Sequence, residues 1–420
     1  MKKIFLLFLM AGVLSASVAV AEDLNDAITG MLASHDRMAA AEAEVIAAEN
    51  SARVALGGWF PNITLTGEYG ASRDHYEGMD PLHLDPSLFE AKLTQLLWDF
   101  GKTNGEVRKA RAAYERALAT RDNTRQELIL EGVTAYLKLK QAEELLAYAM
   151  KSVDNIKKQT SMESTRIAAG QGYSTDVLQA KAQLLGAEAR LSRVEGLLQG
   201  AQNRVVNVFK RPAVEISALT VSGTITSMLP ASLEEAEGVA MKTNPKLQMA
   251  DALVREAEEN FNARTAGAYY PTLNGVLDYN YKNDYGAIED WREEALAKLE
   301  LRYDFDLGFT SVNVSRAAKE SYKAAMKGRD DVKYQVLENV RNAWQNVITA
   351  DKNAKLLRDQ ADIVAQFLEL ARKERKLGRR SLLDVLSAEV SLINARSDAA
   401  AAEADVQIYA HTLLQAMGKL

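Results

Sequence analysis

The feature that most constrains the fold of this chain is the placement of its prolines. Only seven prolines occur in 420 residues, and none lies within residues 87–211 or 272–420. Proline interrupts helices because it lacks a backbone N–H and its ring clashes with the preceding turn. Residues 102–169 and 311–377 lie in these proline-free runs and are rich in Ala, Leu, Glu, Lys and Arg. These residues favour helix, so the sequence predicts two very long helices, each about 100 Å in length.

The long helices need partners along their sides. Apolar residues recur at spacings of three and four along the second run, as at Leu356, Ile363, Phe367 and Leu370, which is typical of a helix that packs against other helices. Helix propensity alone does not hold helices of this length straight. Taken alone, the helices also suit a periplasmic coiled-coil adaptor or scaffold protein.

Similar segments recur along the chain at a shift of about 208 residues. The matching pairs are residues 35–38 with 244–247, 59–63 with 269–273, 97–101 with 303–308, and 170–180 with 378–388. They occur in the same order in both halves, which indicates a tandem duplication. The sequence predicts a first repeat over 22–210, a linker over 211–235 that contains Pro212 and Pro230, and a second repeat over 236–420.

The first 21 residues have the pattern of a secretory signal peptide. Lys2 and Lys3 precede a short apolar run, and the run ends in Ala19-Val20-Ala21. A basic start, an apolar core and small residues at the exit predict export with cleavage after Ala21.

Four segments of about ten residues alternate between apolar and polar side chains, which is the period of a β-strand. In one of them Leu299 and Leu301 alternate with Glu300 and Arg302, whereas Gln95, Leu96 and Val276 break the pattern in others. The predicted strands are residues 61–73, 88–99, 271–283 and 295–306. Their length suits a tilted transmembrane strand, and aromatic residues at their helix-proximal ends resemble an interfacial girdle. Because four strands cannot close a barrel, membrane-spanning strands would have to be pooled from several copies of the chain.

Composition excludes several classes of function. The chain has no cysteine, four histidines and a formal net charge of −6. It therefore has no thiolate metal site and no cysteine nucleophile, and it lacks the basic face of a nucleic-acid binder. No phosphate-binding loop, catalytic triad or metal-ligand spacing stands out. We expect no catalytic residues, no metal and no cofactor, and hence no enzyme.

These residues and motifs together make the chain similar to the TolC family of outer-membrane efflux and secretion channels. The resemblance covers the duplication, the order of elements, the Phe60-Pro61 and Tyr270-Pro271 strand starts and the Asn244-Pro245 pair. It implies a mainly α fold with a membrane β-barrel portion, in which three identical chains form a 12-stranded barrel and an α-helical periplasmic tunnel. It also implies a passive, porin-like exit duct in the outer membrane of a Gram-negative bacterium, used in efflux or type I secretion. Its partners would be a periplasmic adaptor and an inner-membrane transporter of the RND or ABC type.

The two Gly…Asp-Val-Leu segments resemble the helical turns at the periplasmic tip of that family. By motif position, the resemblance makes Asp176, Arg380 and Asp384 gating residues that line the tip of the pore. The sequence departs from the family at Ser387, where an acidic residue is usual, and at Arg375, near the place of a gating tyrosine. The turn residues that would contact the adaptor are Gly170, Ser174, Val177, Leu178, Gly378, Ser381, Val385 and Leu386.

The residues themselves leave a simpler interpretation of the two acids open. Glycine after a long helix is a common C-cap. Ser174 and Ser381 could cap the next helices, whose dipoles favour an acid in the first turn. Asp176 and Asp384 could therefore be ordinary helix-start residues.

Overall fold

The computed structural model describes residues 22–75, 77–78, 80, 82–169, 174–220, 228–285, 290–304 and 307–420. The predicted signal peptide and Gly170 lie outside the described residues. The helices are α1 (Leu24–Ser34), α2 (Asp36–Gly57), α3 (Lys102–Ala168), α4 (Ser174–Phe209), α5 (Ala213–Ser217), α6 (Leu233–Thr243), α7 (Pro245–Tyr269), α8 (Thr310–Lys376) and α9 (Leu382–Met417). The strands are β1 (Asn62–Tyr69), β2 (Ser72–Asp74), β3 (Leu82–Leu84), β4 (Ser87–Trp98), β5 (Thr272–Asn283) and β6 (Trp291–Arg302).

Three pairs of corresponding helices in the two halves have equal lengths, whereas α2 has 22 residues and α7 has 25. The helices α3 and α8 each contain 67 residues, α4 and α9 each contain 36, and α1 and α6 each contain 11. The proline-free runs therefore form long helices, as their composition predicts. None of the helices within the described residues combines the length and apolar character needed to cross a membrane.

The chain divides into two compact units. In described residues, the first unit comprises 22–33, 131–220 and 351–408, and the second comprises 34–130, 228–350 and 409–420. The first unit contains the second part of α3, all of α4, and the adjoining parts of α8 and α9. The second unit contains the sheet, α2, α6 and α7.

The second unit holds a four-stranded antiparallel sheet in the order β1-β4-β5-β6. One face carries exposed apolar side chains, including Ile63 at 64%, Leu65 at 66%, Leu277 at 54% and Leu299 at 73% exposure. The other face carries most of the charged residues, as the alternation predicts. Leu97 is an extra residue at a register shift between Leu96 and Trp98, and the shift places Trp98 opposite Leu273 on the apolar face. Gln95 and Leu96 lie before the shift and pair in register with Gly275 and Asn274.

Both ends of β6 and one end of β1 differ from the sequence prediction, and β6 ends at Arg302 rather than at residue 306. The strand β6 begins at Trp291, earlier than residue 295, because its first residues pair fully with the end of β5. Lys282 Nζ lies 2.9 Å from Glu294 Oε2 across the two strands, and the Tyr281 and Trp291 rings stack with centroids 6.3 Å apart. The strand β1 stops at Tyr69, and residues 72–74 pair with residues 82–84 in the separate hairpin β2-β3.

The helices pack through small apolar residues. In the second unit, Val336 and Val340 of α8 pack with Ala236 and Ala240 of α6 and with Leu413. The helices α3 and α7 approach each other closely, and a Cβ placed on Gly105 would lie 2.9 Å from the Cβ of Ala263. Only glycine allows the two helices to approach this closely.

The core of the first unit joins both helical hairpins. Ile156 of α3 and Ala180 of α4 pack with Leu382 and Leu386 of α9. A second cluster joins α8 to α9, and a third lies farther along the same two helices. The end of α8 is therefore fixed to α9 by an apolar contact.

Gly105→Ala should destabilise the protein, although alanine favours helix by about 1 kcal/mol. Overpacking against Ala263 costs about 1–3 kcal/mol and outweighs that gain. Thermal unfolding of the detergent-solubilised chain, followed by far-UV circular dichroism, checks this. Gly328→Ala is the matched control, since a Cβ there meets no described atom within 4 Å, and it should raise the melting temperature. Equal shifts in the two variants would show that the α3–α7 contact can relax.

Candidate gate at the helical turns

The turn between α8 and α9 is closed by a left-handed glycine. Gly378 has a φ of +74°, a conformation that residues with a Cβ rarely adopt. The Gly378 N–H donates to the Arg375 carbonyl at 2.9 Å, and the Arg379 N–H donates to the Glu374 carbonyl at 3.0 Å. Ser381 then caps α9, because its Oγ accepts a hydrogen bond of 3.1 Å from the Asp384 N–H.

Arg380 is held inside this turn. Its Nε donates to Glu374 Oε2 at 2.6 Å, and its guanidinium lies 5.2 Å from the centre of the Phe367 ring. Both contacts favour a fixed cation, one through charge and the other through the face of the ring. The predicted gating arginine therefore has partners within its own chain.

A buried ion pair connects the turn to α3. Arg375 Nη2 lies 2.8 Å from Glu163 Oε2, and Glu163 has only 6% of its side chain exposed. Arg375 Nη1 also donates to the Arg380 carbonyl at 3.3 Å, and Arg166 lies 3.7 Å from the same Glu163 oxygen. One arginine thus links α3, α8 and the turn. In the sequence, Arg375 is visible only as a departure from the family pattern, and Glu163 is not marked at all, because no local pattern pairs residues so far apart in sequence.

The predicted acidic residues lie at helix starts. Asp176 is in the first turn of α4 and half-buried, and Asp384 is exposed in the first turn of α9. Neither forms an ion pair with a residue in the described part of the chain. Residues 170–173 lie outside the described residues, so the first of the two turns is described only from Ser174 onward.

The predicted adaptor-contacting residues separate into exposed and buried groups. Leu178 is 66% exposed, and Ser174, Gly378 and Ser381 are also exposed, while Val177 is half-buried. Val385 and Leu386, at 2% and 0% exposure, are a correction to the prediction. They pack into the apolar clusters of the first unit, so their side chains are not available to a partner.

The described residues contain no group of three or more histidine, aspartate or glutamate side chains that could hold a metal ion.

Comparison with known families decides the identity of the chain. The family model described as outer membrane efflux protein matches residues 27–209 and 238–419. The chain belongs to the outer membrane efflux protein family. The predicted similarity to TolC is confirmed, and the mainly helical fold with few strands matches the solved channels of this type.

Individual relatives of this outer membrane efflux protein agree with the family match. The outer membrane efflux protein BepC of Brucella suis is 25% identical over 414 residues, which cover 97% of this chain and 88% of BepC. TolC of Vibrio cholerae is 25% identical over 429 residues, covering 100% of this chain and 96% of that TolC. The solved structure of the outer-membrane channel OprN superposes with a TM-score of 0.82 at 20% identity, covering 94% of this chain and 90% of OprN.

The family fixes the general role and the location. The protein is an outer membrane efflux channel, located in the Gram-negative outer membrane and extending into the periplasm. Members of the family are channels rather than enzymes. The match therefore favours the channel over the adaptor or scaffold alternative.

Arg375→Gln should loosen the turn, because it leaves the buried Glu163 carboxylate with only the more distant Arg166. Amide hydrogen exchange at Gly378 and Arg379 should become about tenfold faster or more. Lys373→Gln is the matched control on the same helix end. Its partner Glu369 is well exposed, with side chains 65% and 69% accessible, and such pairs contribute little. Similar exchange in both variants would argue against a stabilising role for Arg375.

Proposed function

We propose that three copies of this chain form a passive exit duct for efflux or type I secretion. In this proposal the repeats 22–210 and 236–420, joined by the linker 211–235, each contribute two strands and one helical hairpin. The duct works with a periplasmic adaptor and an inner-membrane transporter of the RND or ABC type. The observation that carries the proposal is the open four-stranded sheet with an exposed apolar face.

The edges of the sheet argue for pooling of strands. The order β1-β4-β5-β6 leaves β1 and β6 each with one unpaired side. Unpaired backbone groups are strongly unfavourable in lipid, so strands that span a membrane must close into a barrel. Three chains supply about twelve strands, enough to leave a lumen, whereas about eight strands enclose a space filled by side chains. The apolar face then meets lipid, and the charged face, which includes Lys298 and Glu300, lines the lumen.

The turn between α8 and α9 supports a gate built from charged contacts. Glu374 and Phe367 hold Arg380, and Glu163 holds Arg375, so the turn is fixed to its own chain and to α3. A threefold axis would bring three copies of each tip residue together. Asp176 and Asp384 then add rings of negative charge that influence which ions pass.

Docking of the adaptor would open the gate. The exposed tip residues Leu178, Ser174, Ser381 and Gly378 offer a surface that is not used by the chain's own core. An adaptor bound there can shift the helix ends without disturbing the buried apolar clusters. The contacts that must break are the polar ones around Arg375 and Arg380.

Arg380→Ala should raise the conductance of the closed channel, because it removes the cation that Glu374 and Phe367 hold. Single-channel recording in planar bilayers measures this directly. Arg379→Ala is the matched control. Arg379 is exposed in the same turn and forms no ion pair with a described residue. Its replacement should therefore leave the conductance of the closed channel unchanged. An unchanged closed conductance in Arg380→Ala would remove this residue from the gate, and absence of any channel would contradict the proposed function itself.

A further inference from the structure

A cleft lies within the first unit, between α3, α8 and α9. Its volume is about 300 Å³, and side chains from all three helices line it, among them Ser152, Arg372 and Arg396. This volume is at the lower end of the range for small-molecule sites. The cleft is separate from the turn that forms the proposed gate, and nothing in the proposed export function requires it.

The acidic side chains of the cleft already have partners. Glu389 is 5% exposed, and its carboxylate accepts a hydrogen bond of 2.6 Å from Asn155 Nδ2 and another from Arg372. Glu369 forms an ion pair of 2.8 Å with Lys373. Each of these two carboxylates therefore already has a cationic partner.

Two cations of the cleft have no such partner. Lys151 and Arg396 both line it, and neither forms an ion pair with a residue in the described ranges. The Arg396 guanidinium lies 5.7 Å from the centre of the Tyr148 ring. The hydrogen bond that Tyr148 donates to Glu144 raises the pKa of the phenol to about 12, so Tyr148 stays neutral and does not offset either cation. Two cations of the cleft are therefore without an ion-pair partner among the described residues.

A buried hydroxyl in the same cleft also has no partner. Ser152 is 5% exposed, and its Oγ forms no hydrogen bond within the described part of the chain. Serine and threonine in helices commonly donate to the carbonyl four residues earlier, as Thr160 does to Ile156 at 2.8 Å. Ser152 does not, although buried polar groups are nearly always satisfied. Its hydroxyl is therefore an unsatisfied donor in the wall of the cleft.

We propose that this cleft binds a small dicarboxylate. Its two carboxylates would bind Lys151 on α3 and Arg396 on α9, and one of them would also accept a hydrogen bond from the Ser152 hydroxyl. The charge matches the two unpaired cations, and the volume suits a molecule of a few carbon atoms better than a protein segment, whose specific docking needs a far larger surface. A bound dicarboxylate would link α3 to α9 beside α8.

Isothermal titration calorimetry tests the site with succinate as the probe. The full-length protein is used in a non-ionic detergent at low ionic strength, and the uncharged succinamide serves as the reference ligand. We expect saturable succinate binding with one site per chain and no binding of succinamide. Lys151→Gln and Arg396→Gln should each weaken binding about tenfold, because each removes one charge-assisted contact. Lys157→Gln is the matched control, since it removes the same charge from an exposed position of α3 that does not line the cleft, and it should bind like the original chain.

Ser152→Ala separates a ligand contact from a structural defect. If the hydroxyl donates to the ligand, the variant binds succinate several-fold more weakly while its unfolding temperature stays the same or rises. Binding equal to that of the original chain would remove Ser152 from the site. Succinate that binds no better than succinamide, or that binds equally well to Lys151→Gln, Arg396→Gln and Lys157→Gln, would overturn the proposal. Calorimetry measures binding without transport or conductance. Absence of succinate binding would therefore leave the export proposal unaffected.

Discussion

The unpaired edges of the sheet are the constraint on which the rest of this structure depends. Backbone N–H and C=O groups cannot remain unsatisfied in lipid, and β1 and β6 each expose one such row. In the proposed duct, other copies of the chain complete the barrel. The symmetry of that barrel would extend to the long helices, because α3 starts at Lys102, directly after the turn that follows β4. In the proposed duct, the duplicated strands and the long helices that follow them both depend on completion of the barrel.

The helices of the first unit use two kinds of contact, and the difference suits a gate. Buried alanine, leucine and isoleucine side chains hold the bodies of the helices together, and such contacts change little with the ionic surroundings. The turn depends instead on a few charged contacts around Arg375 and Arg380. Removing one partner of a buried pair such as Arg375–Glu163 is costly, whereas an exposed pair such as Lys373–Glu369 contributes about 0–1 kcal/mol. In the proposed gate, the tip would open by exchanging a small number of polar partners while the core stays packed.

Much of the fold could be predicted from the sequence because it depends on period and composition. The strand predicted over 271–283 is β5, Thr272–Asn283, and the long helices predicted over 102–169 and 311–377 are α3 and α8. The early start of β6 was missed because Arg292, Glu293 and Glu294 have the composition of a loop, and only pairing with β5 makes them strand. The candidate gate was harder to predict from the sequence. Val385 and Leu386 share a motif with Val177 and Leu178. Val385 and Leu386 are nevertheless buried, whereas Val177 is half-buried and Leu178 is exposed, because burial is decided by neighbouring helices that the motif does not specify. The Glu163–Arg375 pair could not be predicted from the sequence for the same reason.

Disulfide trapping between the sheet edges tests the shared barrel most directly, and the chain contains no cysteine that would interfere. One cysteine replaces Thr66 on β1, and a second replaces Glu294, Lys298 or Glu300 on β6. Within one chain β4 and β5 separate these positions, by about 14 Å at the usual strand spacing, so a disulfide, which needs Cα atoms about 4.4–6.8 Å apart, can form only between chains. After oxidation in outer membranes, at least one pair should give a covalent trimer on a non-reducing gel. If every pair yields only monomers, or dimers without trimers, three chains do not share one barrel.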